Sequence, residues 1–276
     1  MSLFKGREDV FAIRWEKENR SGYFPAYNLD WNEFTKHKAS GGSLKDFKNK
    51  SYESLTEERM QNHLSGKEVI GLYPLLTDNS SWFIVADFDE SLSSKRSWME
   101  DCRVFISECE RIRIPAYLER SRSGSGGHIW IFFDKPYPAF KSRTILLYLL
   151  EKSYIISTFD KNSNYDRLFP NQDYHSGKGL GNLIALPLQK LAMSNANSCF
   201  INPDTEQAFS DQWGFLKTIQ RVETSHLDGI YSCITKSSAI QHQHPVQGLS
   251  NDSVDILFQS LDPWEKRWFR KMKQKR

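Results

Sequence analysis

Residues 81–90, SWFIVADFDE, join an apolar run directly to two acids spaced by one phenylalanine. Such a run reads as a β-strand, on which alternate side chains leave opposite faces. Asp87 and Asp89 therefore leave the sheet on one side, where like charges repel unless something positive lies between them. A hard divalent cation such as Mg²⁺ or Mn²⁺ is the usual solution, because it takes carboxylate oxygens and bridges them to phosphate oxygens. The plain alternative is a strand end that reaches solvent, where paired acids are tolerated.

The pattern around this strand is mixed. VIGLYPLL (69–76) and SWFIVADFD (81–89) read as strands joined by TDNS, a hairpin signal. Trp98, Cys102, Phe105, Cys109 and Ile112 recur at helical spacing until Pro115 closes the helix. Strands follow at 116–120 (AYLER) and 128–133 (HIWIFF), then an amphipathic helix over 138–152 through Ile145, Leu146, Leu149 and Leu150. Upstream, 9–16 (DVFAIRWE) alternates as a strand broken by Gly22 and Pro25. Residues 56–65 form a short helix between the N-cap Thr56 and the stop Gly66. Further strands are expected at 154–158 and 182–189, and a helix at 211–222, while 223–260 is polar and reads as a loose linker. Interleaved strands and helices with recurrent hairpins make an α+β chain.

Two further segments carry polar chemistry. SRSGSGGH (121–128) offers the hydroxyls of Ser121, Ser123 and Ser125, three glycines that let backbone N–H groups approach an anion, and the charges of Arg120 and Arg122. His128 closes the loop at the first residue of a strand, within reach of a triphosphate. An ordinary glycine turn would look the same in isolation. YDRLFPNQD (165–173) adds Asp166 and Asp173 as choices for a third carboxylate. It also adds Arg167, with Lys178 and Lys190 beyond it, for phosphate contact. Asn182 and Gln189 flank the next strand and are candidates for ligand or template contact. The bland reading is that these acids only organise a loop around Pro170.

Composition excludes several classes. With 276 residues the chain suffices for one large domain or two small ones. No apolar run approaches the ~20 residues of a membrane span, and MSLFKGREDV lacks the apolar core of a signal peptide. A soluble, cytoplasmic protein with no membrane partner is expected. Four scattered cysteines support no disulfide framework, and no CxxC pair offers zinc spacing. Between Pro263 and Arg276, seven Lys or Arg and one Glu interleave with Trp264, Trp268 and Phe269. That tail suits nucleic-acid backbone contact with stacking, or is simply a solvated helix.

Taken together, the Asp87/Asp89 strand, the small-residue loop Gly126-Gly127-His128 and the later Tyr165-Asp166 resemble the three motifs of the archaeo-eukaryotic primase superfamily. LFKGREDVFAIRW, GLYPLL, FIVADFDE, SRSGSGGHIWIFF, YDRLFPNQD and GLGNLIALPLQ are similar, more narrowly, to the primase domain of TOTE conflict systems and related CRISPR-associated primase-polymerases. The resemblance spans about residues 3–220. It implies a catalytic core with an RRM-like sheet (about 81–222) and an N-terminal α/β portion (about 1–80). A polar linker and a basic aromatic tail would follow over 223–276.

The resemblance also implies two metals, Mg²⁺ or Mn²⁺, held by Asp87, Asp89 and Asp166, with Asp160 and Asp173 as competitors for the third place. Arg122, Ser123, Ser125, His128, Arg167 and Lys178 would hold the nucleotide. Where many relatives carry serine two residues before the histidine, this chain has Gly126. Expected substrates are dNTP or NTP on single-stranded or primed DNA, and expected partners a helicase, nuclease or Cas1-like module of the same system. Two other readings stand beside it: a metal-dependent nuclease, since acids at strand ends also cleave phosphodiesters, and an inactive nucleic-acid-binding module.

Overall fold

A computed structural model describes residues 2–18, 20–156, 163–177 and 179–243, with side chains to residue 236. Near its start, β1 (Ala12–Lys17) and β2 (Arg20–Pro25) pair antiparallel, Ala12 opposite Pro25 and Lys17 opposite Arg20. Gly22 does not break this hairpin. It sits inside β2 opposite Trp15, and a Cβ there would meet the indole at 3.1 Å. β3 (Tyr27–Leu29) pairs with β4 (Lys50–Tyr52) around helix α1 (Trp31–Ala39), which Asp30 caps by accepting from the N–H groups of Asn32 and Glu33. Helix α2 (Glu57–Ser65) begins at Thr56, whose hydroxyl accepts from the Arg59 N–H, and ends at Gly66 in the left-handed region, as its sequence signals require.

β5 (Ile70–Leu72) pairs with β1 rather than with the strand after it. The TDNS turn therefore carries the chain from one sheet to another and closes no hairpin. His63 on α2 locks this region. Its Nδ1 accepts from the Ile70 N–H at 3.1 Å, so the hydrogen sits on Nε2 and is donated to the Pro187 carbonyl at 2.9 Å.

The next six elements are β6 (Ser80–Asp89), α3 (Trp98–Arg111), β7 (Tyr117–Arg120), β8 (Gly126–Pro138), α4 (Ala139–Lys152) and β9 (Tyr165–Phe169). Their strands lie in the order β7-β8-β6-β9, antiparallel throughout, which is the βαββαβ arrangement of an RRM-like sheet. β10 (Ile184–Ala185) joins β5 at the edge of the N-terminal sheet. After the short helix α5 (Lys190–Met193), β11 (Cys199–Phe200) extends the second sheet beside β7. Helices α6 (Gln212–Thr218) and α7 (Thr224–Gln243) complete the described chain.

Helices cover one face of the second sheet: Phe105 of α3 meets Phe88 at 6.0 Å between ring centroids, and Trp98 lies so close to Gly127 that a Cβ there would come within 2.6 Å of its ring. The other face carries Phe83, Val85, Trp130, Phe132 and Phe169, which pack against Phe4, Phe11, Ile70, Leu72 and Leu186. Each such side chain contributes roughly 1.5–3 kcal/mol when fully buried. Burial on both faces explains why 81–88 reads as an almost unbroken apolar run. Only at Asp89 does β6 become exposed.

Other expectations need correction. The 154–158 segment starts as a helix exit: Tyr154 is left-handed (φ 57°), and the N–H groups of Ile155 and Ile156 both bond to Leu150 O. Its last residues, with Asp160, lie outside those described. The polar stretch after 223 begins as helix α7, so weak apolar patterning there marks a polar helix rather than loose chain. Residues from 244 onward, the basic aromatic tail included, lie outside the described set. The chain divides into two units, Met1–Asp228 and Gly229–Arg276. Cys102, Cys109 and Cys199 are free and buried, the first two on the inner side of α3. Among the described residues, no helix is long and apolar enough to cross a membrane.

Candidate active site

One row of side chains crosses four strands. Glu119 on β7 lies opposite His128 on β8, His128 opposite Asp87 on β6, and Asp87 opposite Arg167 on β9. Residues directly opposite share a face of the sheet, so the row alternates acid, base, acid, base. His128 Nδ1 is 2.8 Å from Glu119 Oε2, and its Nε2 is 3.4 Å from Asp87 Oδ1. The indole N–H of Trp130, two residues along β8, donates to the same Glu119 Oε2 at 2.8 Å.

Strand alternation brings Asp89 to the face of Asp87, and a bulge brings the third acid. Asp87 pairs with Arg167 and Phe88 with Tyr165, so Asp166 is the extra residue between two consecutive pairs. In a regular strand Asp166 and Arg167 would point to opposite faces; the bulge turns both toward the site. Asp87, Asp89 and Asp166 each offer a carboxylate oxygen within 4.8 Å of the others, and Arg167 Nε lies 2.5 Å from Asp166 Oδ2. Three hard oxygen donors with no thiolate fit a divalent cation of the Mg²⁺ or Mn²⁺ type.

The electrostatics of the site follow from burial and from the crowding of three acids. Burial, reinforced by Asp89 and Asp166 against the opposing charge of His128, pushes the Asp87 carboxyl up to about 6. Burial by itself would push His128 down, but the Glu119 carboxylate and then Asp87 and Asp89 hold it at about 9. An imidazolium between two carboxylates is the result.

Asn164 fixes the end of β6. Its carbonyl accepts from the Asp89 N–H at 2.8 Å. Its buried amide accepts from Ser91 N–H and donates to Asp101 Oδ2, Ser94 Oγ and the Arg96 carbonyl. An open pocket of about 510 Å³ follows, lined by Asp89, Ser91, Ser93, Asn164, Tyr165 and Asp166 among others.

The serine loop borders the acids on the other side. Hydroxyls of Ser121, Ser123 and Ser125 form a chain with 3.0 Å links, and Ser125 O accepts from the Glu90 N–H. Gly126 lies opposite Asp89, and a Cβ there would meet the Phe88 carbonyl at 2.4 Å and Asp89 Oδ1 at 2.8 Å. No side chain, serine included, fits in this arrangement.

Several sequence candidates have other work. Arg122 donates to Glu16 Oε1 on β1 at 2.7 Å and so points toward the N-terminal sheet. Arg120 donates to the carbonyls of Ala196 and Glu206. Asp173 pairs with Arg143 of α4 and is not in the acidic cluster. Asn182 ties Asn171 to Leu168, and Gln189 caps α5. Lys190 opens α5 as an exposed residue, and Lys178 lies outside the described residues. Glu119, Trp130 and Asn164 were not singled out from sequence. Glu119 hides inside AYLER as one more polar residue of an alternating strand, and only the register shows that it faces His128.

No curated protein matches the sequence. Among solved structures, the polymerase domain from Mycobacterium tuberculosis Ligase D in complex with DNA aligns at 11% identity. The alignment covers 83% of this chain and 81% of that one, with a TM-score of 0.39. At the level of sequence, the description of the TOTE conflict system archaeo-eukaryotic primase domain matches residues 1–230. The Asp87/Asp89 strand, His128 and Asp166 meet on one sheet face, and the chain belongs to the archaeo-eukaryotic primase domain family of TOTE conflict systems.

Proposed function

We propose that this chain is a template-dependent nucleotidyltransferase, a primase, a DNA polymerase or both, that joins nucleoside triphosphates on single-stranded DNA. The observation that carries the reading is the meeting of Asp87, Asp89 and Asp166 within 4.8 Å beside His128 and the serine loop. Asp87, Asp89 and Asp166 would hold two Mg²⁺ or Mn²⁺ ions, which when bound supply a Lewis acid for the triphosphate and lower the pKa of a 3′-hydroxyl. The protein's own part is position and charge rather than a covalent nucleophile. His128 offers Nε2 to a phosphate oxygen, the hydroxyls of Ser123 and Ser125 donate to others, and Arg167 adds charge at the rim. Arg122, once released from Glu16, and Lys178 would add further charge for the phosphates.

On this reading residues 1–222 form the primase-polymerase domain, helix α7 follows it, and the basic tail beyond would add contact to DNA. Action in the cytoplasm, alongside a helicase, nuclease or Cas1-like module, is consistent with membership of a conflict system. The test is to incubate end-labelled DNA with Mg²⁺ or Mn²⁺, with and without nucleotides. Strand growth only with nucleotides supports the proposal. Shortened strands without nucleotides would replace it with a nuclease.

A further inference from the structure

Glu119 is the most deeply buried acid of the site, 2% exposed, yet it is not one of the clustered carboxylates. A carboxyl group in such a place is costly unless donors satisfy it. Two do, both on one oxygen: Trp130 Nε1 and His128 Nδ1, each 2.8 Å from Oε2. An indole N–H only donates, so Oε2 is an acceptor whatever the state of the other oxygen. As a carboxylate oxygen, Oε2 accepts from His128 as well, so Nδ1 carries its hydrogen. The ring's other nitrogen, Nε2, is left facing Asp87 at 3.4 Å.

The anchor of this arrangement is rigid. Trp130 is fully buried and packs against Phe4 at 5.2 Å and Phe83 at 5.1 Å between ring centroids, so its N–H direction is set by the core. Register completes the geometry, since Glu119, His128 and Asp87 are consecutive members of one cross-strand row. If Trp130 merely needed an acceptor, any neutral group would serve. An acceptor shared with the histidine that borders the acids ties the core to the site.

We propose that Glu119, anchored by Trp130, is a positioning residue that commits the Nδ1–H of His128 and thereby presents Nε2 to a phosphate oxygen of the incoming nucleotide beside Asp87. The inference rests on the nucleotidyltransferase reading for the identity of that ligand. For metal-ligating histidines, partners that orient the ring through its far nitrogen matter by about 10–100-fold when removed, and His128 is held in the same manner.

Two variants of the full chain separate reach from charge. Glu119→Gln keeps an acceptor oxygen at the same reach and loses the charge; Glu119→Asp keeps the charge and withdraws the oxygen by one methylene. Each is assayed for affinity toward a non-hydrolysable nucleoside triphosphate with Mn²⁺, and separately toward single-stranded DNA. The hydrogen-bonded Nδ1–H of His128 is followed by ¹⁵N NMR and identified by its loss in His128→Asn. Glu119→Gln is expected to keep the Nδ1–H signal and to lose less than about tenfold in nucleotide affinity, because the acceptor keeps its reach although the ring loses a charged partner. Glu119→Asp is expected to lose about tenfold or more with that signal gone and DNA affinity unchanged. Wild-type nucleotide affinity in Glu119→Asp, or a glutamine variant that loses as much as the aspartate one, would overturn the positioning role. A wild-type chain that shows the protected Nδ1–H but binds no nucleotide would instead overturn the nucleotidyltransferase reading, and with it the ligand assigned to Nε2.

Discussion

His128 Nε2 and Asp87 Oδ1 face each other at 3.4 Å across directly paired positions of β8 and β6. The contact joins the loop that ends in histidine to the strand that ends in acids, so the two halves of the site meet at directly paired residues. It also explains how a chain tolerates a mostly buried carboxylate beside two other acids: the imidazolium offsets part of their repulsion.

Removing that repulsion should separate activity from stability. Asp87→Asn and Asp89→Asn are each expected to lower nucleotide incorporation by about 10³-fold, in line with loss of a preorganised charge at a phosphoryl-transfer site. Their folds should survive with unfolding free energies within about 1 kcal/mol of wild type. Circular dichroism melts beside an incorporation assay check both halves, and unfolded variants would assign the acids a structural role.

Divalent metal should stabilise the native protein. Binding to the folded triad alone raises stability by RT ln(1 + [L]/Kd), about 2.7 kcal/mol at a hundredfold excess over Kd. Melts with Mn²⁺ or Mg²⁺ against a chelator should show this shift in wild type and lose it in Asp89→Asn. An equal shift in both would place the ion elsewhere.

His128→Ala is expected to weaken nucleotide binding by tenfold or more, on the order of 1.4 kcal/mol, while single-stranded DNA binding stays the same. Equilibrium titrations with each ligand measure the two affinities. Equal losses would contradict a contact made to the nucleotide.

Gly126→Ala places a methyl group against the Phe88 carbonyl and Asp89 Oδ1. A cost of about 1–3 kcal/mol is expected from overpacking, with a loss of incorporation as Asp89 is displaced. Chemical denaturation and the same incorporation assay check it, and a variant with wild-type values in both would refute the tight fit.

Acid should weaken the N-terminal sheet through His63. Burial holds this ring at about 4, against an ordinary value of 6.5. The unfolded chain therefore takes up a proton that the folded chain refuses, and stability falls as pH drops from about 6.5 toward 4. The window is worth on the order of 3 kcal/mol. His63→Leu should flatten that part of the pH profile and cost about 2–4 kcal/mol at pH 7.5, because the Ile70 N–H and Pro187 carbonyl lose their partner. Urea unfolding across pH checks both.

Much of the site could be read from residue spacing because spacing sets strand faces. Asp87 and Asp89 needed only the period of two, and the α3 stripe of Trp98, Cys102, Phe105 and Cys109 needed only the period of 3.6. Asp166 was harder, since a regular strand would separate it from Arg167; the bulge that unites them is a property of pairing with β6. Glu119 and Asn164 were missed for the same reason, their partners lying nine residues away in His128 and 63 away in Asp101. The TDNS turn misled because turn chemistry is local, whereas the partner of β5 is β1, more than fifty residues upstream.

The most direct test is strand synthesis on single-stranded DNA, with and without an annealed primer, supplied with dNTPs or NTPs and Mg²⁺ or Mn²⁺. The account predicts new strands from the wild-type chain and none from the folded Asp87→Asn, Asp89→Asn double variant. Synthesis that survives in the double variant, or its absence from the wild type under every condition, would contradict it.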